Sequence, residues 1–515
     1  MLFFNLIEKF SKDDQFDLDG TDGTVEDSKS DETTGLVTDD EKNDTTPGNW
    51  SDAEKQRLLA DAITMKSPIE DIKTIIRCGA DVNGPVKKGL RPLHYAAYID
   101  YVECVHLLID EGAEVNISDE IGYTPLHLCA RKGIYGAMKA LIERGALVNY
   151  CDAEEGELPE NVRAIGYLTM EPLNLAIENN NIDCVKLLLQ SGARPNHSFF
   201  IGYQLNVMSL DNIECLEILL QNGSDPNLCN RCGISPLMKA SREHNIEAVR
   251  LLIRYGADVN LQCPARFDQK TSLHFAIESG NIIITEILVK AGAKLSKPAN
   301  YRYSPLHTAV IKGRSDLVLF LLLWDAKVDE RTDDDCTPLM LAAGTPQIRE
   351  RKEIIKLLLE HGADVNASAE FINYSHPCQA PIVEYMKNDT TNLNKDILLL
   401  LLKYGAKVNI RCDISVYRRK DSFGILKYLP NCTDKEMLDI LVYSAHIFDM
   451  DHIRKCDVLN FTERKYLLAH ADTPRTLKHT IRLLIRDLLQ LNLINRVHSL
   501  PLPNLVKKYL LFEVS

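Results

Sequence analysis

The chain has 515 residues, of which 45% are hydrophobic and 26% are charged, and its formal net charge is −14 at pH 7. No apolar run approaches the roughly 18 residues of a membrane-spanning helix, and the charge provides no basic surface for nucleic acid. We therefore expect neither a membrane nor a nucleic acid as a partner. The 14 cysteines are scattered rather than spaced as a disulfide framework, which favours the cytoplasm, with the nucleus as an alternative.

Acidic charge is concentrated at the start of the chain. Residues 1–50 hold 14 acidic and 4 basic side chains, a charge of −10, which leaves −4 for the remaining 465 residues. A segment with few apolar side chains cannot bury enough surface to offset the entropy that it loses on ordering. Residues 1–50 are therefore predicted to be an acidic disordered tail.

From residue 51 onward the sequence repeats with a period of roughly 33 residues. Units open on turns such as Thr124-Pro125-Leu126-His127, in which proline suits the first helical turn. A second helix with paired leucines follows, and a glycine then ends it in the left-handed conformation. Asp325 fills this slot in one unit. The glycines that end the other units are Gly79, Gly112, Gly145, Gly192, Gly223, Gly256, Gly292, Gly362 and Gly405. This pattern resembles the ankyrin repeat.

Polar residues recur at two positions of the unit. His94, His127, His274 and His307 share one position in the opening turn, where they are predicted to make a structural hydrogen bond rather than to catalyse. The recurring asparagines are predicted to fix the loop by side-chain hydrogen bonds, with hydroxylation of asparagine as an alternative that the ankyrin resemblance leaves open. They are Asn83, Asn116, Asn260 and Asn366.

No residue pattern predicts catalysis, a cofactor or a metal. Cys229 and Cys232 form one CxxC pair, whereas a zinc site requires a second pair or a Cys/His complement at usable spacing. No phosphate-binding glycine loop or nucleophile motif is present. The sequence therefore predicts a protein that is not an enzyme, with no cofactor and no metal site.

The last 43 residues contain a predicted amphipathic helix. Its apolar side chains follow helical spacing, with Lys478, Arg482, Arg486 and Asp487 away from that stripe. On periodicity alone, a terminal helix pair that packs on the last repeat explains the pattern. The stripe consists of Leu477, Ile481, Leu484, Ile485 and Leu488.

Three short sequence motifs in this segment resemble those of a SOCS box. They are Thr476-Leu477-Lys478-His479, then Leu500-Pro501-Leu502-Pro503, then Lys508-Tyr509-Leu510-Leu511. An ankyrin array followed by this box resembles the ankyrin-repeat and SOCS-box family. The resemblance implies that the stripe at residues 477–488 binds elongin C and that Leu500, Pro501, Leu502 and Pro503 select cullin-5. One residue departs from the family pattern, because Ile481 stands where the family has Cys, and this puts the affinity for elongin in doubt.

The predicted fold class is all-α: an ankyrin-repeat solenoid of about ten helix-pair repeats with a C-terminal helical SOCS box. Its parts are the tail at 1–50, the solenoid at 51–410, a divergent terminal repeat or cap at 411–472 and the box at 473–515.

Aromatic residues cluster in the loops of the middle repeats, where polar residues are expected. Exposed aromatic side chains are typical anchors of protein interfaces, so these are a candidate target-binding strip. The alternative is that the rings fold back onto the solenoid. The strip consists of Phe199, Phe200, Tyr203, Phe267, Tyr301 and Tyr303.

The resemblance implies a non-catalytic substrate-recognition subunit of a cullin-5–RING ubiquitin ligase. Its expected partners are elongin B, elongin C, cullin-5 with its RING partner, and an unknown protein substrate. The alternative is an ankyrin scaffold or inhibitor of a signalling protein that has no role in a ligase.

Overall fold

The computed structural model describes residues 51–149, 171–196, 203–262, 269–298, 301–369, 378–389, 393–411, 422–432, 434–473, 476–489 and 493–512. Between residues 52 and 403, these residues contain twenty helices that follow one another as ten pairs. The first helices are α1 (Asp52–Thr64), α3 (Pro92–Tyr98), α5 (Pro125–Lys132), α7 (Pro172–Glu178), α9 (Gln204–Val207), α11 (Pro236–Arg242), α13 (Ser272–Ser279), α15 (Pro305–Ile311), α17 (Pro338–Gly344) and α19 (Pro381–Asn388). The second helices are α2 (Ile69–Arg77), α4 (Val102–Asp110), α6 (Tyr135–Glu143), α8 (Ile182–Gln190), α10 (Ile213–Gln221), α12 (Ile246–Arg254), α14 (Ile282–Lys290), α16 (Ser315–Leu323), α18 (Arg351–Glu360) and α20 (Lys395–Lys403).

Most of the first helices begin at a proline that follows an extended residue. Ser304, for example, has φ −79° and ψ 165° before Pro305, so the chain turns sharply into α15. The missing N–H of proline is no loss in the first helical turn. The leucine that follows, such as Leu306, is completely buried. The opening turn therefore both starts the helix and anchors it in the core.

The second helices bury one face and stack along the array. In α4, Cys104, Val105 and Leu108 have no exposed surface, and they lie on one side of the helix. First helices pack on the first helices of adjacent repeats, and many second helices pack on adjacent second helices. The core is thus continuous along the array, as a repeat that cannot enclose its own apolar faces requires. The predicted solenoid is confirmed, and the predicted tail at 1–50 lies outside the described residues.

The turn after each second helix needs a left-handed residue. Gly112 has φ +95°, and a Cβ atom built there would have no neighbour within 4 Å. Backbone conformation, not space, therefore explains glycine at this position. Asp325 adopts φ +65° in the eighth repeat, a conformation that is unfavourable for a residue with a Cβ atom.

The segment after the tenth pair contains a small sheet that the sequence did not predict. Strand β1 (Val408–Ile410) pairs in parallel with β2 (Ala445–Phe448), with an irregular register after Val408. A 3₁₀ helix (Leu426–Asn431) and α21 (Lys435–Ser444) lie between the strands in the chain. Helices α22 (Met450–Lys455) and α23 (Phe461–Asp472) follow. The apolar stretches at 437–443 and 466–469 lie within α21 and α23.

The chain ends in three helices that we call the C-terminal box. They are α24 (Leu477–Leu489), α25 (Leu493–Ser499) and α26 (Asn504–Leu510). Their shared core consists of Leu493, Val497, Leu510 and Leu511, which are almost completely buried.

Candidate protein-interaction surfaces

All four repeated histidines lie buried in the opening turns. Three of them, His94, His274 and His307, join neighbouring repeats through a hydrogen bond from the ring. In His307, Nδ1 accepts the backbone N–H of Ser304 at 3.3 Å, and Nε2 lies 3.2 Å from the carbonyl oxygen of Cys336. Because Nδ1 accepts a hydrogen bond, the proton must be on Nε2, from which it is donated to the next repeat. Burial lowers the pKa of His94, His274 and His307 to about 4. These imidazoles are neutral and fully used by the fold, which supports the predicted structural role.

The recurring asparagines form a second set of bonds between repeats. The side chain of Asn83 donates to the carbonyl oxygen of Gly112 at 3.0 Å and accepts the N–H of Glu114 at 2.9 Å. Asn366 makes the equivalent pair of bonds to Gly405 and Lys407. Each side chain therefore ties one loop to the turn of the next repeat, as predicted.

Helix α24 exposes an apolar stripe. Leu477 is 74% exposed and Leu488 is 72% exposed, and Ile481 and Leu484 lie exposed between them. At about 100° per residue, these four side chains fall within about 40° of one direction around the helix. A contiguous apolar face of this kind is typical of a protein-binding surface.

Ile485 departs from the predicted stripe. It is partly buried and packs against the core of the box, together with Leu489 and Ile494. The reason is angular, because Ile485 lies about 80° around the helix from Leu477 and so at the edge of the stripe. The exposed surface is narrower than the sequence pattern indicated.

The opposite face of α24 buries two arginines. Arg482 and Arg486 are only about 5% exposed, although the sequence pattern suggests a solvated polar face. The guanidinium carbon of Arg482 lies 3.4 Å from the ring centroid of Tyr509 and 4.5 Å from that of Phe512. Arginine stacks favourably on aromatic faces, so α26 and the residues after it cover these charges.

Arg486 also joins the box to the tenth repeat. Its guanidinium donates to the carbonyl oxygen of Leu510 at 2.6 Å and to that of Leu402 at the end of α20. Burial lowers the pKa of Arg486 to about 9. The sequence pattern missed this contact because the two carbonyl groups carry no side-chain signal.

A cleft of about 240 Å³ lies at the same junction. Asp487 faces it, with Oδ1 at 3.8 Å from the Nζ of Lys407 and 3.4 Å from the Nε2 of His446. The apolar stripe nevertheless stays exposed along the whole of α24, from Leu477 to Leu488.

The predicted cullin segment lies between α25 and α26. Leu500 and Leu502 pack against the core of the box, whereas Pro501 and Pro503 are exposed. The two kinds of residue therefore have different roles in the structure, and the prolines are more exposed than the leucines.

The predicted aromatic strip is only partly described. Phe199, Phe200 and Phe267 lie outside the described residues, and Tyr203 is half-buried. Tyr301 and Tyr303 are also half-buried, with their ring centroids 6.0 Å apart. Tyr301 packs edge-on against His274 at 4.8 Å, so its ring touches the solenoid while part of it stays exposed.

The CxxC pair contains two free thiols. Cys229 is half-buried and Cys232 is exposed. Among the residues that the structure describes, no three His, Cys, Asp or Glu side chains are grouped to hold a metal ion. Within the same ranges, no helix is long and apolar enough to cross a membrane.

Comparison with family models matches both parts of the molecule. The model for ankyrin repeats in three copies matches residues 59–152, 205–299 and 295–369, about half of the chain, and a single ankyrin-repeat model matches residues 171–198. The SOCS-box model matches residues 473–511. The chain belongs to the ankyrin-repeat and SOCS-box family. Its C-terminal box is thus a SOCS box, and the apolar stripe on α24 lies within it.

Individual relatives are similar to part of the chain. The fowlpox virus ankyrin repeat protein FPV232 is 28% identical over 127 residues, which are 25% of this chain and 26% of that protein. Fowlpox virus FPV031 is 35% identical over 139 residues, 25% of this chain and 38% of that protein. The chain therefore spans well under half the length of these relatives. The crystal structure of the human ASB11 ankyrin repeat domain aligns at 24% identity with a TM-score of 0.37, over 47% of this chain and 99% of that domain.

Ankyrin repeats joined to a SOCS box support a substrate-adaptor role in elongin–cullin-5 ubiquitin ligases in general. The two domains are typical of adaptor proteins that do not themselves catalyse a reaction. In general, SOCS boxes bind elongin B, elongin C and cullin-5, and ankyrin repeats bind other proteins.

Proposed function

We propose that this protein is a substrate receptor that holds a target on its ankyrin array and binds elongin C through the exposed stripe of α24. The observation that carries the proposal is that Leu477, Ile481, Leu484 and Leu488 face solvent while two arginines of the same helix are buried. An isolated helical box would gain by turning its leucines inward. A partner surface over the stripe would remove the apolar area from water.

The segment at 500–503 serves cullin-5 in this proposal. Pro501 and Pro503 are exposed and available for the contact, whereas Leu500 and Leu502 hold the segment against the box core. The ligase then gains rate by proximity, since the receptor raises the effective concentration of target lysines near the charged conjugating enzyme. The proposed compartment is the cytoplasm.

The target surface is proposed to include Tyr203, Tyr301 and Tyr303. The support is their partial exposure in the loops after the fourth and seventh repeats, with Arg302 lying 5.2 Å from the ring of Tyr303. Phe199, Phe200 and Phe267 belong to the same predicted strip by their positions in the sequence.

Capture of elongin B and C by the purified full chain tests the proposal. Leu477→Arg places a charge at the most exposed apolar side chain of the stripe. The loss of such an anchor commonly costs about 2 kcal/mol or more, or roughly a thirtyfold loss of affinity. Phe461→Arg is the matched control, because Phe461 is 81% exposed on α23, outside the box. We expect Leu477→Arg to abolish capture and Phe461→Arg to retain it.

Ile481→Cys tests the departure from the family pattern. If Ile481 crowds a fitted pocket, the smaller side chain should strengthen elongin binding by about 1–3 kcal/mol. Absence of capture by both the wild type and Ile481→Cys would refute the receptor proposal and favour a scaffold without a ligase role. Capture that Leu477→Arg leaves unchanged would show that the stripe is not the contact.

A further inference from the structure

The outer face of α16 differs from that of every other second helix. The position concerned lies two residues before the glycine, or Asp325, that ends each unit. Nine of the ten units carry a polar side chain there. The eighth unit has Leu323, which is 70% exposed. The nine polar residues are Arg77, Asp110, Glu143, Gln190, Gln221, Arg254, Lys290, Glu360 and Lys403.

Two further side chains extend this apolar face. Leu319, one helical turn before Leu323, is also exposed, and Trp324 after it is 41% exposed. The ring of Trp324 lies 5.9 Å from that of Phe320, so the two aromatic side chains form one surface with the leucines. Residues 319, 320, 323 and 324 are named the α16 patch. Apolar side chains at otherwise polar positions indicate a contact with another protein.

The charges on either side of the patch run in opposite order. On α14, Glu286 precedes Lys290 by one turn, and these two side chains pair at 2.5 Å. On α18, at the same two positions of the repeat, Lys356 precedes Glu360, and they lie 4.0 Å apart. All four side chains are exposed, and exposed ion pairs exchange partners at little cost.

We propose that the α16 patch is the contact between two copies of this chain. If the twofold axis lies in the interface and is parallel to α16, α14 of one copy faces α18 of the other. Glu286 is then opposite Lys356, and Lys290 is opposite Glu360. If the axis runs across α16, α14 faces α14 in the reverse direction, and Glu286 again meets a lysine. A second copy therefore meets opposite charges on both sides of the patch in either arrangement, as an isologous interface requires.

This contact lies on the array and uses neither the stripe of α24 nor the aromatic strip. Two copies would present two target surfaces and two SOCS boxes in one particle. Binding of a multivalent target would then gain from effective concentration without new contacts.

Sedimentation velocity of the full chain tests the proposal at concentrations from about 1 to 100 µM, which span the range of small apolar interfaces. The expected result is a concentration-dependent rise from 58.1 kDa towards twice that mass. Leu323→Arg should raise the dimer dissociation constant at least about tenfold. It is expected to fold, because Arg254 occupies the same position of the repeat in α12.

Gln221→Arg is the matched control, since it puts the same side chain at the same position of α10. It should leave the dissociation constant unchanged. Glu286→Lys should weaken the dimer by a smaller factor and make it less sensitive to added salt, because it replaces an attraction that salt screens by a repulsion. A wild-type chain that stays monomeric throughout overturns the proposal, as does a dimer that Leu323→Arg leaves intact. Binding of a different protein to the patch by a monomeric chain also overturns it.

Discussion

The ankyrin array and the SOCS box both bury nitrogen bases, but in opposite protonation states. The array buries neutral imidazoles such as His307, whose pKa is lowered to about 4. The box buries the guanidinium groups of Arg482 and Arg486, and the pKa of Arg486, lowered to about 9, keeps it cationic at neutral pH. The imidazole can satisfy one carbonyl group of the next repeat without a charge, whereas the guanidinium of Arg486 binds two carbonyl groups and stacks on the ring of Phe512.

The same two regions also orient their apolar residues differently. In the array, Leu252 and Leu288 point into the continuous core, and the outer positions are mostly polar. In the box, α24 turns its leucines outward and its arginines inward. The array thus encloses most of its leucines in its own core, while the box presents a stripe that a partner can cover.

Acid should destabilise the ankyrin array more than the SOCS box. We expect this to be the largest of the predicted effects. Because the folded-state pKa of His94, His274 and His307 is about 4, against 6.5 for an ordinary histidine, the unfolded chain binds more protons between these values. The contribution of each neutral, buried histidine to the free energy of unfolding is therefore complete above pH 6.5, and it is lost as the pH falls towards 4. At pH 5 the loss is about 2 kcal/mol for each histidine. Hydrogen exchange should show the array helices α13 and α15 opening before α24.

His307→Met supplies the control for this pH dependence. Met340 occupies the same position in the ninth repeat and accepts the N–H of Thr337 through its sulfur at 3.4 Å, so methionine fits the turn. The variant should lose about 2 kcal/mol of the difference in unfolding free energy between pH 7.5 and pH 5. An unchanged pH dependence would mean that His307 is not buried as a neutral base.

Arg486→Leu should weaken the contact between the box and the tenth repeat. We expect an effect smaller than that of acid on the array. It preserves an apolar contact with Phe512 but removes the donors to Leu402 and Leu510, which leaves two carbonyl groups to water or unpaired. We expect a loss of about 2 kcal/mol in protection against hydrogen exchange at the end of α20 and in α24. Capture of elongin should persist, since the stripe is untouched. Unchanged protection would show that Arg486 does not hold the junction.

Asp325→Gly should have the smallest effect and should stabilise the array. The φ of +65° at Asp325 costs about 1 kcal/mol or less relative to glycine, offset in part by the greater freedom of glycine in the unfolded chain. A thermal unfolding scan should show a small increase in melting temperature. Gly112→Asp makes the reverse change in the second repeat and should lower it. A decrease with Asp325→Gly would point to a specific contact of the aspartate.

Sequence reasoning found the repeats because each repeat gives the same local signals many times. The proline turn, the paired leucines and the glycine each act within a few residues, and the histidine and asparagine bonds recur at fixed spacing. The exceptional position of Leu323 can also be read from the sequence, because the other nine units have a polar residue there. The identity of the stripe on α24 came from the family resemblance, since periodicity alone fitted a buried terminal helix as well.

By itself, the sequence determined the helix pairs, their order and the amphipathic helix at residues 477–488, because short-range preferences and a repeated apolar pattern decide those features. Only the tertiary structure decided which face of α24 is buried. The carbonyl group of Leu402, which Arg486 binds, is 84 residues away in the chain. The short parallel pairing of β1 with β2 likewise joins segments about 37 residues apart. Contacts of this kind depend on how distant segments meet, and no local pattern encodes them.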